Sequence, residues 1–259
     1  ILGKHLNVPV YQLLGGLCRD KVRMYAHCHG NTPEEAAEHA LKLKAQGYTA
    51  IKTTPLLVKD GVVRVPECIR DGYAKIAAIR RAVGDDMDVA LDAHGQTTPP
   101  MAVEVARAVE PLRPLFLEET TQPEDLDILA WVAARVNVPL ATGERLFMKW
   151  AFTELCERKL VSYVQPDVVH CGGISELKRI AVIAEAHFIE CAPHNPQGEV
   201  STMASLHVDF STTNCTIQEQ AHETPPWRYD LFEGGAVIKD GYALPPTAPG
   251  MGIDLNERE

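Results

Sequence analysis

Residues 89–144 read VALDAHGQTTPPMAVEVARAVEPLRPLFLEETTQPEDLDILAWVAARVNVPLATGE, and their rhythm decides the fold. Three short apolar runs, at 89–92, 115–118 and 140–142, each end at or just before an acidic residue: Asp92, Glu118 and Glu144. Amphipathic stretches near 100–109 and 126–135 separate them. A buried run, a helical stretch and another buried run make a βαβ unit of a parallel sheet. Both carboxylate intervals are 26 residues. Equal intervals predict the same position in three successive units, and so three carboxylates converging at one mouth.

The pattern continues outward in both directions. Further strands are predicted near 22–26, 50–53, 163–165, 189–192 and 215–218, which makes eight. Further helices are predicted near 68–83, 150–157, 176–186 and 200–210. The first helix is signposted by Thr32 as N-cap, Pro33 at the first helical position, Glu35 completing a capping box and Gly47 as the stop. Eight strands alternating with helices over about 200 residues is what a closed parallel barrel requires. A doubly wound open sheet would place a glycine-rich phosphate turn after its first strand. The residues there are His27-Cys28-His29-Gly30-Asn31, which do not form one. Gly172-Gly173 reads as a tight turn after the sixth strand.

The barrel is expected over residues 21–222. Residues 1–20 read as a linker and the end of a preceding helix, beginning mid-pattern as a fragment of a longer protein would. Residues 223–259, with Gly234-Gly235 and Pro245-Pro246, read as an extended tail that packs on something.

Composition narrows the partners. The chain has 259 residues, with 35 acidic against 25 basic and a formal charge of −10. Nucleic acid is disfavoured, because binding it needs clustered Lys and Arg. No apolar stretch approaches the roughly 18 residues needed to span a bilayer, and no secretory leader opens the chain. The seven cysteines are scattered without a CxxC pair, so reduced thiols in a cytoplasmic protein are expected rather than a zinc cluster. His27-Cys28-His29 is expected to be packing or pocket wall.

A single acidic residue after a strand is usually a helix N-cap. Three in register repel one another unless a cation sits between them, and three carboxylates with substrate and water fill the oxygen shell that Mg²⁺ prefers. Asp167 follows the sixth strand and His194 the seventh, 27 residues on. A carboxylate beside an imidazole fixes its tautomer and raises its basicity, as a general base needs. Glu219 ends the eighth strand. His94 lies two residues after Asp92, the spacing that puts two strand side chains on one face. One imidazole then removes a proton while the other assists a leaving hydroxyl, which suits β-elimination.

The strings Asp92-Ala93-His94-Gly95, Glu118-Glu119, Gly143-Glu144-Arg145, Gln165-Pro166-Asp167, His194-Asn195-Pro196 and Gln218-Glu219-Gln220 resemble the mandelate-racemase subgroup of the enolase superfamily, and within it the acid-sugar dehydratases. The resemblance covers essentially the whole chain. It implies a (β/α)7β barrel whose N-terminal capping domain is absent from this chain. It implies Mg²⁺ on Asp92, Glu118 and Glu144, a base dyad of His194 with Asp167, and His94 as the general acid. Glu219 would hydrogen-bond the substrate carboxylate as it becomes an enediolate, Glu119 would support the site without ligating, and Lys52, Arg145 and Asn195 would contact substrate. Departures are Thr120 where the family carries proline, and Lys52-Thr53-Thr54 where racemases carry Lys-x-Lys. Lys52 reads equally as a solvated end. Gly95 stands where mannonate dehydratases show a second histidine, which favours a galactonate-like substrate.

The implied reaction is Mg²⁺-dependent loss of water from an aldonate such as D-galactonate, giving a 2-keto-3-deoxy acid, a step of sugar-acid catabolism. Alternatives are a racemase or epimerase of a 2-hydroxy acid on the same fold, and a non-catalytic metal-binding barrel. A homo-oligomer with a small-molecule substrate is expected.

Overall fold

The structure, a computed structural model, describes residues 1–58, 60–220 and 227–258. In chain order the elements are α1 (Leu2–Leu6), α2 (Val10–Leu13), β1 (Val22–His27), α3 (Pro33–Ala45), β2 (Ala50–Thr53) and α4 (Val65–Val83). There follow β3 (Asp88–Asp92), α5 (Pro99–Val109), β4 (Leu117–Glu118), α6 (Leu126–Ala133), β5 (Leu140–Thr142) and α7 (Met148–Glu157). Next come β6 (Tyr163–Val164), α8 (Ile174–Ala186), β7 (Glu190–Cys191), α9 (Glu199–Phe210) and β8 (Ile217–Gln220). The chain closes with α10 (Trp227–Asp230), β9 (Phe232–Gly234), β10 (Ile238–Lys239), β11 (Tyr242–Ala243) and β12 (Ile253–Leu255). The alternation of strand and helix is the one the sequence predicts. The eighth strand begins two residues later than expected, because Cys215 makes only an isolated bridge to Cys191.

The chain forms two compact units, one of Ala26–Gly143 with Arg158–Tyr163, the other of Ile1–Tyr25, Glu144–Glu157 and Val164–Glu259. These cut across the expected boundary at residue 20, and the one at 222 lies outside the described residues.

In the first unit β2, β3, β4 and β5 run parallel. Its buried side chains are largely aliphatic: Ile51, Val89, Leu91, Leu117 and Leu140 on the strands, Ile76 and Ile79 on α4 and Val105 on α5. Burying each such side chain contributes about 1.5–3 kcal/mol. The Thr32 side chain accepts from the Glu35 N–H at 3.2 Å, and Pro33 and Gly47 stand where a helix start and stop need them. The Glu35 carboxylate, however, accepts from the Asn31 N–H rather than closing the box on Thr32.

Register corrects the argument from equal spacing. Asp92 is level with Glu118, but Glu118 is level with Ala141. Glu144 therefore follows, by three residues, the position level with Glu118. The reason is local. The α6 excursion is 8 residues against 11 for α5, so the chain re-enters the sheet sooner. Gly143, at φ 141°, then carries it past the strand end into a conformation that glycine adopts without a side-chain clash.

In the second unit the Ala192 N–H donates to the Val164 carbonyl at 2.9 Å, joining the ends of β6 and β7, and β8 pairs with β1. The tail is not merely extended. β11 lies antiparallel on β1, with Val22 level with Ala243, and β12 pairs with β9. Residues 1–20 are also more than a linker. Tyr11 donates its N–H to His207 Nδ1 at 3.2 Å and packs its ring 6.3 Å from Phe210, on a helix α9 that is buried from Ser201 to Phe210.

Candidate active site

Each unit carries its own cluster of the expected residues. In the first, Glu118 is fully buried and accepts from Lys52 Nζ at 3.1 Å. Lys52 is 5% exposed, so the solvated-end reading is overturned. Burying an ammonium this deep is costly, and the Glu118 carboxylate, two strands away from Lys52 on β2, offsets that cost. Asp92, level with Glu118, accepts the His94 N–H on Oδ1 at 2.7 Å and faces the His94 ring Nδ1 from Oδ2 at 3.2 Å. Burial pushes the Asp92 carboxyl up, but the His94 contacts and the nearby Lys52 charge together hold it below the usual range.

His94 corrects a second inference. It does not reach Asp92 by strand alternation, because β3 ends at Asp92 and His94 sits at φ 53°. An Asx-type turn places it, in which the aspartate side chain captures the N–H two residues on. The ring is exposed, and with Nδ1 on Asp92 its Nε2 faces away from the carboxylate. Glu119 is buried and also left-handed, at φ 49°. Its Oε1 accepts from the Thr142 hydroxyl and from the Gly143 N–H, which ties the end of β4 to the end of β5.

In the second unit three side chains form a line. His194 Nδ1 lies 2.8 Å from Asp167 Oδ2, and His194 Nε2 lies 3.2 Å from Glu144 Oε2. Asp167 is fully buried. Burial pushes its carboxyl up; hydrogen bonds from His194, the Val169 N–H and Gln197 outweigh this and hold it below the usual range. Glu219 is fully buried and accepts the Asn195 N–H at 2.8 Å. Arg145 is half-buried beside Glu144 in the chain.

Asn195 is not placed as a substrate contact. Its amide donates to Thr202 Oγ1 at 2.8 Å and to the Glu219 carbonyl at 3.3 Å, and its Oδ1 accepts from Ser201 Oγ at 2.6 Å. With both donors spent and 1% exposure, it fastens the loop after β7 to β8 and to the start of α9. Sequence reading also missed Lys75, a fully buried lysine on α4. The signal was present: Cys68, Gly72, Lys75, Ile76, Ile79 and Val83 make one helical face, with the lysine inside the apolar stripe.

Beside the His94 turn the first unit has an open cleft of about 490 Å³, lined among others by His27, Cys28, His29, Lys52, Lys75, Asp92 and His94. The His27-Cys28-His29 tripeptide is thus pocket wall. Its thiol donates to the Ala36 carbonyl at 3.4 Å, and all seven cysteines are free. Among the described residues no three His, Cys, Asp or Glu side chains stand ready-grouped to hold a metal ion, and no helix is long and apolar enough to cross a membrane.

Two relatives named D-galactonate dehydratase, from Ralstonia pickettii (strain 12J) and Ralstonia nicotianae (strain ATCC BAA-1114 / GMI1000), are 38% and 37% identical to this chain. Each alignment covers 99% of this chain and 69% of the relative. A solved member of the enolase superfamily from Salmonella Typhimurium superposes with a TM-score of 0.94 at 31% identity, over 99% of this chain and 71% of the other. A mandelate racemase/muconate lactonizing enzyme from Jannaschia sp. CCS1 gives 0.93 at 36% identity, over 100% and 69%. The family model described as enolase C-terminal domain-like matches residues 35–259. With Asp92 and Glu118 closing β3 and β4, Asp167 following β6 and Glu219 within β8, and with that match over most of its length, the chain belongs to the enolase C-terminal domain-like family and has its TIM-barrel-like α/β fold.

Proposed function

We propose that this protein is a Mg²⁺-dependent hydro-lyase that removes water from an aldonate such as D-galactonate to give a 2-keto-3-deoxy acid. The observation that carries the reading is the His194 ring. Its Nδ1 is held on buried Asp167, so Nε2, which lies 3.2 Å from Glu144 Oε2, is the nitrogen that would take the C2 proton when that carboxylate serves a cation instead. The names of the relatives support dehydration as the outcome.

The donor set fits a hard cation. Asp92 and Glu118 are level on adjacent strands and largely removed from solvent, and one lysine is already drawn in to balance them. Two carboxylates side by side favour a bound cation. Oxygen ligands of this kind suit Mg²⁺. Asp92 and Glu118 would hold it, with Glu144 as the third ligand on the ground of the motif Gly143-Glu144-Arg145. Bound there, Mg²⁺ supplies Lewis-acid neutralisation of the developing enediolate.

The chain's own groups do the rest. His194 abstracts the C2 proton, oriented by Asp167. Glu219 hydrogen-bonds the substrate carboxylate, held in place by the Asn195 N–H. His94, on its Asx turn, presents Nε2 outward to protonate the departing 3-hydroxyl. Lys52 balances Glu118, and Arg145 contacts substrate. A homo-oligomer in the cytoplasm is part of the same reading. The full-length protein should be assayed with Mg²⁺ against a panel of aldonates. The reading expects a 2-keto-3-deoxy acid from at least one of them. Epimerised substrate with no loss of water supports the racemase instead, and no change in any substrate supports the non-catalytic barrel.

A further inference from the structure

The cleft beside the His94 turn is lined by more basic than acidic side chains, in a chain whose formal charge is −10. Its wall holds Lys52, Lys75, His27, His29 and His94 against the single carboxylate of Asp92. Lys52 is accounted for by Glu118 and Asp92 is engaged by His94. Lys75 is not accounted for. It is 1% exposed, and among the described residues its ammonium makes no hydrogen bond and no ion pair.

The backbone forces this placement. Gly72 brings α4 so close to the loop after β2 that an added Cβ would stand 1.8 Å from the Pro55 carbonyl oxygen. Lys75 follows by nearly one turn and so lies beneath that loop, within the cleft wall. Its neighbour Cys28 is no counter-anion, since burial pushes the thiol up to about 12. Burial lowers Lys75 to about 8, so the amine is still mostly charged at neutral pH. A buried cation is retained where something anionic comes to meet it.

We infer that Lys75 binds a second anionic group, carboxylate or phosphate, at the far end of the acid-sugar substrate. This rests on the dehydratase reading, because His94 lines the same cleft as Lys75, so that a substrate whose 3-hydroxyl meets His94 can extend its remaining carbons to Lys75. Within that reading, the acid sugars that bind best are those charged at both ends, hexarates or 6-phosphohexonates, ahead of simple hexonates.

The test compares a hexonate, the matching hexarate and the matching 6-phosphohexonate on the full-length protein with Mg²⁺. Binding is measured by calorimetry in a His194→Asn background, where turnover does not interfere, and turnover is measured separately on the wild type. A charge-assisted contact predicts that one doubly charged acid binds at least about 10-fold tighter than the hexonate. Lys75→Met should erase that preference, and whichever of the two diacids shows it identifies the anion. Asn31→Asp, which adds a negative charge to the same wall, should weaken the same ligand and serves if Lys75→Met does not fold. Equal affinity for all three acids, or a preference untouched by both substitutions, overturns the inference. Loss of the dehydratase reading alone shows differently, as absent 2-keto-3-deoxy acid in the wild type with the binding preference intact.

Discussion

Asp167 Oδ2 lies 2.8 Å from His194 Nδ1, and the carboxylate that fixes the ring is itself fixed by the Val169 N–H and Gln197. Replacing Asp167 with Asn keeps the shape but removes the charge that orients and polarises the ring. Turnover should fall about 100-fold or more with KM changing much less, as steady-state kinetics on the full-length protein will read. A drop below about threefold shows that the ring needs no carboxylate.

The same carboxylate makes a pH prediction. Because its folded pKa is depressed, its contribution to stability is present above the ordinary carboxylate range and is lost as pH falls through the folded value. The difference in urea midpoint between wild type and Asp167→Asn should therefore shrink between about pH 5 and pH 3. A difference that widens on acidification contradicts the hydrogen-bond account.

Lys52→Met leaves Glu118 buried with its ammonium partner gone. Breaking a buried pair by removing one member costs about 3–5 kcal/mol. Thermal unfolding without Mg²⁺ should show that loss, and saturating Mg²⁺ should recover more stability in the variant than in the wild type. Equal stabilisation of both by Mg²⁺ argues that the cation does not meet Glu118.

Lys75 gives a prediction of opposite sign. Its folded pKa, about 8, lies below its ordinary value, so the unfolded chain binds more protons between about pH 8 and 10.5. Over that window the wild type should gain stability relative to Lys75→Met, by an amount on the order of a few kcal/mol. At neutral pH without ligand the methionine variant should be the more stable of the two. Matched urea titrations at pH 7, 9 and 10 check both statements, and a less stable variant at pH 7 shows that the lysine has a structural partner.

Much of this was legible from residue order. Strands such as β2 and β5, whose Ile51 and Leu140 sit in short apolar runs between helical stretches, fall where the pattern puts them. Asp92 and Glu118 end their strands and Asp167 follows its own as read, whereas Glu219 lies inside β8, one residue before its end. What order could not carry was register and turn geometry. Equal intervals do not make Glu144 level with Glu118, because α6 is shorter than α5 and Gly143 extends the strand end. His94 approaches Asp92 through a left-handed turn, which strand periodicity does not describe. The tail's pairing on β1 is a long-range contact that residues 223–259 do not announce. Lys75 was legible but unread, as a charge inside an apolar helical stripe.

The central claim is that two imidazoles divide one elimination between them. It is tested most directly by proton NMR in D₂O on His94→Asn and His194→Asn, with the acid sugar the wild type dehydrates and saturating Mg²⁺. His194→Asn should show neither exchange at C2 nor loss of water. His94→Asn should exchange the C2 proton with solvent while failing to form the 2-keto-3-deoxy acid, because abstraction does not need the acid. If His94→Asn abolishes exchange as completely as His194→Asn does, His94 acts through Asp92 rather than on the leaving hydroxyl, and the division of labour is wrong.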